Sequence, residues 1–297
     1  SFTAIHTDLQ HQLLAPASEM LKSGIIDGIR CSTRPDAVSD EAITLLQSYG
    51  VKTVELGVQS MNDSILVDAK RGHTAEEVVE AVARLKQRGM TVGVQLLPGL
   101  KGETWETILE TAVAIVKLKP DFVRIYPVLV IENTELADQY RAGEYEPLST
   151  EQAIKYCAFL KEWFERHTIE VIRTGLQSTE ELDSGNSLVA GPYEPAMGEL
   201  VVNEQYKQCL ERCINEHIES SIGEGISQRN VWGQLNTFTA LNISIFYPRS
   251  LTSKVRGLKN RNVLYFKDLY PQCNIHWYED RTRNTVRCCI DGLQYVL

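Results

Sequence analysis

The sequence predicts an α/β fold in which parallel βα units curve into a barrel or near-barrel, followed by a small strand-helix-strand-strand domain. Three observations predict it. Short apolar segments alternate with amphipathic helical segments at regular spacing up to about residue 130. The joints between them are short and rich in Gly, Pro and polar groups, notably Glu55 to Ser60, Lys70 to Thr74 and Gly93 to Glu103. The charge balance also changes sign near residue 240.

Each element has its own signal. Residues 8–22 carry Leu9, Leu13, Leu14, Met20 and Leu21 at helical spacing, as candidate core positions. Residues 25–33 read as a strand stopped by Arg34-Pro35-Asp36. Ser39 caps a helix over 40–49 that Gly50 ends, and Val51 to Gln59 is a strand. Thr74 with Glu77 forms a capping box for a helix over 75–88. A strand over 91–97, a helix over 103–118 and a strand over 121–130 complete four βα alternations. The strands read as apolar throughout, so both sheet faces should be covered. A closed barrel and an open doubly wound sheet both satisfy this pattern. No GxGxxG follows a strand, which counts against a dinucleotide fold.

Beyond residue 130 come helices over 134–143 and 150–166, a strand over 168–174, a loop over 177–197 and a helix over 196–219. A Gly/Ser/Asn-rich linker is expected near 221–237. The tail, with one helix over 251–269 built on Leu251, Val255, Leu258 and Leu269, follows. The domain division expected is 1–200, 201–240 and 241–297.

Composition excludes some classes. No apolar run is long enough to span a membrane, and no signal peptide opens the chain. The seven scattered cysteines suit reduced thiols in a cytoplasmic protein better than a disulfide framework. Cys209 and Cys213, at i, i+4, read as a half-buried pair rather than a metal site. There is no GxSxG, HExxH or P-loop, so hydrolase and NTPase chemistry has little support. A lyase or aldolase barrel would want a lysine at a strand end, and none of the four strand ends has one. Residues 241–297 hold nine Lys/Arg against four Asp/Glu, a balance of +5, so the net charge of −9 leaves −14 on the first 240 residues. A polyanion would therefore meet the tail.

In a parallel barrel the ligand site lies at the C-terminal ends of the strands. Ser32, Thr33, Arg34, Asp36, Gln59, Ser60, Gln95, Pro98, Gly99 and Tyr126 fall there. Gln59 and Gln95 are amides in apolar strands, satisfied either by a ligand or by neighbouring loops. Arg71 reads either as a bidentate carboxylate ligand or as a solvated arginine. His73 reads either as a general base or as a local cap beside Thr74.

These joints resemble the radical S-adenosylmethionine (SAM) superfamily. The resemblance is nearest to the branch holding oxygen-independent coproporphyrinogen oxidase and the catalytic subunit of elongator. It rests on Thr33-Arg34-Pro35-Asp36, Glu55 to Ser60, Lys70 to Thr74 and Pro98-Gly99-Leu100, in that order, and covers about residues 1–200. It implies a partial (β/α)6 TIM-like barrel that binds SAM. It also implies a 4Fe–4S cluster whose one-electron reduction of SAM yields a 5′-deoxyadenosyl radical for hydrogen abstraction.

By position, Arg71 resembles the arginine pairing with the methionyl carboxylate, and Gln59, followed by Ser60, the glutamine facing the cofactor. Leu97 lies in the segment near adenine, Tyr126 at the sixth-strand edge, and Gln95 where the porphyrinogen enzyme has an aspartate. Ser32 departs from the glutamate that some relatives place near the ribose. The CxxxCxxC motif of the family does not occur in the sequence, and Ser1 is not a natural start. The resemblance therefore implies a chain lacking the first strand, the cluster loop and most of the second strand, inactive alone and prone to self-association along an exposed sheet edge.

The resemblance also implies an electron donor such as flavodoxin or ferredoxin, and possible RNA recognition through the basic tail. Around Arg256-Gly257-Leu258-Lys259 the tail faintly resembles a KH-like module, although Asn260 replaces the second glycine of its GXXG loop. The competing function is an RNA-binding or scaffold protein without radical chemistry.

Overall fold

The computed structural model describes residues 1–185, 187–222, 240–282 and 284–297. It divides into two compact units, Ser1–Met197 and Gly198–Leu297.

The first unit begins with α1 (Thr7–Lys22), β1 (Ile29–Thr33), α2 (Asp40–Ser48) and β2 (Val51–Gln59). It continues through α3 (Asp63–Asp68), α4 (Ala75–Gln87), β3 (Thr91–Leu96), α5 (Trp105–Leu118) and β4 (Phe122–Ile125). Then come β5 (Val130–Ile131), α6 (Glu135–Arg141), α7 (Thr150–Arg166), β6 (Glu170–Thr174), α8 (Glu180–Asp183) and β7 (Leu188–Ala190). Five strands form one parallel sheet in the order β1-β2-β3-β4-β6. It has the α/β architecture of a TIM-like barrel sector.

Val54, Leu56 and Val58 of β2, Val92, Val94 and Leu96 of β3, and Val123 and Ile125 of β4 are fully buried. They form the helix-facing side, where α4 packs on β2 and β3 and α7 on β4 and β6. The opposite side corrects the expectation of apolar strands throughout. Glu55, Gly93, Gln95, Phe122 and Arg124 alternate with the buried residues, so the concave side is polar. Parallel strands buried on both faces are usually apolar. Here a hydrogen-bonded charge network takes that place.

Local signals work as expected where a cap decides them. Thr74 and Glu77 make the capping box of α4, and Ser39 accepts from the Ala42 N–H at the start of α2. Three expectations are corrected. On α1, Leu14 is buried, whereas Leu9, Leu13 and Met20 are 49%, 57% and 48% exposed. The strand expected over 121–130 stops at Ile125 and resumes as β5, which pairs antiparallel with β7. The loop expected over 177–197 contains α8 and β7.

The second unit holds nearly all of α9 (Met197–Ile222), then β8 (Asn242–Tyr247), α10 (Thr252–Arg256), α11 (Arg261–Leu269), β9 (Asn274–Glu279), β10 (Arg287–Ile290) and β11 (Leu293–Val296). The linker expected near 221–237 lies, beyond Ile222, outside the described residues. The four strands form a sheet in the order β11-β10-β8-β9, with β8 and β9 parallel. Leu210 and Ile214 of α9 join Val255, Phe266 and the inward residues Ile243, Ile245, Cys288 and Ile290 in its core.

The single helix expected over 251–269 is two helices. Gly257, Lys259 and Asn260 take φ of 77°, 53° and 62°, values that glycine and asparagine tolerate best. Buried Asn262 fixes the break by donating to the carbonyls of Asn203 and Val255. Leu258 and Leu269 are consequently 40% and 44% exposed. No described helix is long and apolar enough to cross a membrane.

Candidate functional site

The phrase Lys70 to Thr74 is fixed residue by residue. Asn62 caps α3, and Lys70 and Gly72 are both left-handed, with φ of 50° and 73°, which turns the chain back toward the sheet. The Gly72 carbonyl accepts from Arg34 at 3.1 Å, while Arg34 forks onto Asp36. His73 is buried, with Nε2 3.1 Å from the Val58 carbonyl, and Thr74 starts α4. His73 is thus a bolt between loop and strand, whereas the capping at this turn comes from Thr74. What remains free to act is Arg71.

The Arg71 guanidinium is half-buried, and its Nε has no hydrogen-bond partner among the described residues. Burial, and then the neighbouring Arg34 charge, hold its pKa below the ordinary value. An anion placed beside it would relieve both effects. Gly57 makes the room: a Cβ there would lie 2.7 Å from Gln59 Nε2 and 3.9 Å from an Arg71 terminal nitrogen. The Gln59 amide and the Arg71 guanidinium therefore share the space above Gly57. Gln59 itself has φ of 70°, unusual for a non-glycine residue, and its Oε1 is buried without a partner. Its carbonyl accepts from the Leu97 N–H at 3.0 Å, tying the ends of β2 and β3.

Arg71 opens on a cavity of about 370 Å³ at the strand ends. Leu97, Leu100, Tyr126, Leu129 and Leu136 supply apolar and aromatic walls, with Lys70 and Glu135 at its rim. Lys70 and Glu135 form an ion pair. An apolar pocket with few convergent polar groups is the usual shape of a small-molecule site.

Of the seven residues singled out in the sequence, Arg71, Leu97 and Tyr126 line this cavity, and Gln59 joins them above Gly57. The other three stand elsewhere. Ser60 is buried, accepting from the Asn62 N–H at 3.2 Å with its hydroxyl 3.3 Å from that of Thr111. Gln95 donates to Glu55 at 3.2 Å, and Ser32 is exposed on β1.

Sequence reasoning missed the network behind the cavity. Glu55 is 3% exposed and joins Arg30, Gln95 and Arg124, while Arg124 donates to the Tyr126 hydroxyl at 3.0 Å. A carboxylate at the centre of a strand, between the apolar Val54 and Leu56, was the available signal. Glu103 is the other omission. Burial raises its pKa to about 7, against the opposing backbone hydrogen bonds of Gly99 and Leu100.

These groups fit SAM: a half-buried guanidinium without a partner at Nε for its carboxylate, an amide for its polar groups and apolar walls for adenine. They do not fit the 4Fe–4S cluster. Among the described residues no three His, Cys, Asp or Glu side chains are grouped to hold a metal, and the seven cysteines are free.

The fold and site define a parallel α/β barrel protein with a largely apolar pocket at its strand ends and an arginine in the pocket wall. The sequence profile of the Radical SAM superfamily matches residues 3–115, and that of the Radical_SAM C-terminal domain matches residues 120–208. The chain belongs to the radical SAM superfamily. It is similar to the tRNA uridine(34) acetyltransferase of Methanocaldococcus jannaschii, 40% identical over 43% of this chain and 24% of that protein. The enzyme of the same name from Methanocaldococcus infernus is 34% identical over 61% of this chain and 34% of its own. The solved structure of the archaeal Methanocaldococcus infernus Elp3 with N-terminus deletion (1-46) superposes with a TM-score of 0.60. It is 29% identical and covers 70% of this chain and 52% of that one. The chain thus spans a quarter to a third of these two curated relatives.

Proposed function

We propose that this chain binds SAM in the strand-end cavity and serves a radical SAM enzyme acting on tRNA. Arg71 pairs with the methionyl carboxylate, Gln59 hydrogen-bonds the methionyl end, and Leu97 and Tyr126 flank the adenine. Gln95 stands one layer back, orienting Glu55, and Ser60 fixes the turn after β2. Ser32, at the sheet edge, is the residue nearest the role of a ribose ligand. In this family SAM supplies an adenosyl group for radical hydrogen abstraction. The chain's own part is to hold the ligand and exclude water from it.

The observation that carries this reading is the half-buried Arg71, partnerless at Nε, beside the left-handed Gln59. The tRNA substrate is supported by the names of the two archaeal relatives. Work on tRNA would place the protein in the cytoplasm, with flavodoxin or ferredoxin as electron source. A second reading, RNA binding without radical chemistry, is favoured by the +5 balance of residues 241–297.

Calorimetric titration of the chain with SAM separates the two. The first reading expects saturable binding that Arg71→Ala weakens about ten-fold or more, since one charged hydrogen-bonding group is lost. Absence of SAM binding, or equal affinity in the variant, sinks the assignment of Arg71.

A further inference from the structure

The four-stranded sheet of the second unit has two unlike faces. One is sealed by its core residues. On the other, the pairing register aligns Val296, Arg287, Phe246 and Tyr278 in one row across all four strands. Gln294, Cys289, Ser244 and His276 form the next row. Tyr278 stacks on Phe246 with centroids 5.3 Å apart and planes 22° from parallel. His276 stacks on Tyr278 at 6.1 Å and 29°. The Arg287 guanidinium lies 5.6 Å from the Phe246 ring centre, held by Asp280 and Gln294. Tyr278 and Val296 are 45% and 66% exposed.

Outward positions of such a sheet are ordinarily polar. Here a row of mutually stacked rings, closed at one end by the Arg287 guanidinium, occupies them, and Asp280 holds that guanidinium in place. Ser244, Asn242, Asn274 and Gln294 flank the rings with hydrogen-bonding groups. We propose that this face is a stacking platform for the unpaired bases of single-stranded RNA. Ring faces accept any base, side-chain amides reach base edges, and the basic balance of residues 241–297 suits phosphates. A duplex, whose bases are already stacked, offers the row nothing to receive. A protein partner would want a wider apolar patch than one row bordered by amides and hydroxyls.

The choice of RNA rests on the proposed function; the arrangement of the rings does not. The test is fluorescence anisotropy of the full chain with a labelled oligouridine of about twelve nucleotides and with a duplex of equal length. The single strand should bind more tightly. Tyr278→Ala should weaken it about ten-fold, Tyr278→Phe should bind as the parent does, and the salt dependence should persist in both. Tyr278 is exposed, so neither variant threatens the fold, and circular dichroism checks this.

Parent-like binding by Tyr278→Ala overturns the platform while leaving RNA recognition standing. Equal affinity for the duplex also overturns it. No RNA binding at low salt overturns the platform, while SAM titration tests the cofactor site separately. A dimer abolished by Tyr278→Ala, with RNA affinity unchanged, would make the row a self-association surface instead.

Discussion

Glu55 of β2 and Arg124 of β4 meet across the intervening strand β3, with Arg124 Nε 2.9 Å from Glu55 Oε2. The register explains how. Glu55 is level with Gly93, which puts no side chain in the way, and Gln95 of the same strand adds its amide to the carboxylate. Glu55 is nearly enclosed and Arg124 little less so, with side chains 4% and 12% exposed. Tyr126, accepting from Arg124, extends this network to the cavity wall.

Removing the carboxylate strands a buried guanidinium. Glu55→Ala is expected to lower stability by about 3–5 kcal/mol, measured by urea unfolding. Arg30→Ala, whose side chain is 57% exposed, should cost about 1 kcal/mol or less. Comparable losses from the two would mean that Arg124 is not the principal partner.

Gly57 should matter to binding more than to folding. The atom a new Cβ meets is the end of the flexible Gln59 side chain, 2.7 Å away. Gly57→Ala is therefore expected to leave the melting temperature within about 2 °C, because the amide can swing aside. The displaced amide and the narrowed approach to Arg71 should weaken SAM several-fold in calorimetry. Unchanged affinity would show that the shared space is not where the ligand sits.

Gly93 differs, because the atoms above it are a packed ring. A Cβ there would lie 2.2 Å from the Phe122 ring. Gly93→Ala should destabilise by about 1–3 kcal/mol through overpacking. Phe122→Leu in the same chain should recover part of that loss, as read by thermal unfolding.

Glu103 sets a pH dependence. Its pKa is about 7 in the folded chain against 4.5 ordinarily, chiefly from burial. Between those values the folded state keeps a proton that the unfolded state releases. Its contribution to stability therefore declines as pH rises from about 4.5 to 7, by on the order of 3 kcal/mol, then levels off. Glu103→Gln should remove that decline, making the variant the more stable of the two at pH 8. A variant with the parent's pH profile would assign the effect to another group.

The sequence by itself determined the βα alternation, because caps and breakers act within a few residues. Thr74 with Glu77, Ser39 and the Pro98-Gly99 turn needed no distant partner to be read. It also marked Arg71 and Gln59, through their place in a recognisable phrase. What only the tertiary structure decided depends on neighbours far along the chain. Helical spacing marked Leu9 and Leu13 as apolar, but what lies against α1 leaves them exposed. Leucine spacing suggested one helix over 251–269, but Asn262, bonded to Asn203 some sixty residues earlier, holds the break. Glu55 and Arg124 meet only because parallel strands bring residues 69 positions apart into one layer, where a low dielectric makes their pairing obligatory. The aromatic row from β8 and β9 likewise exists only in the register of the folded sheet.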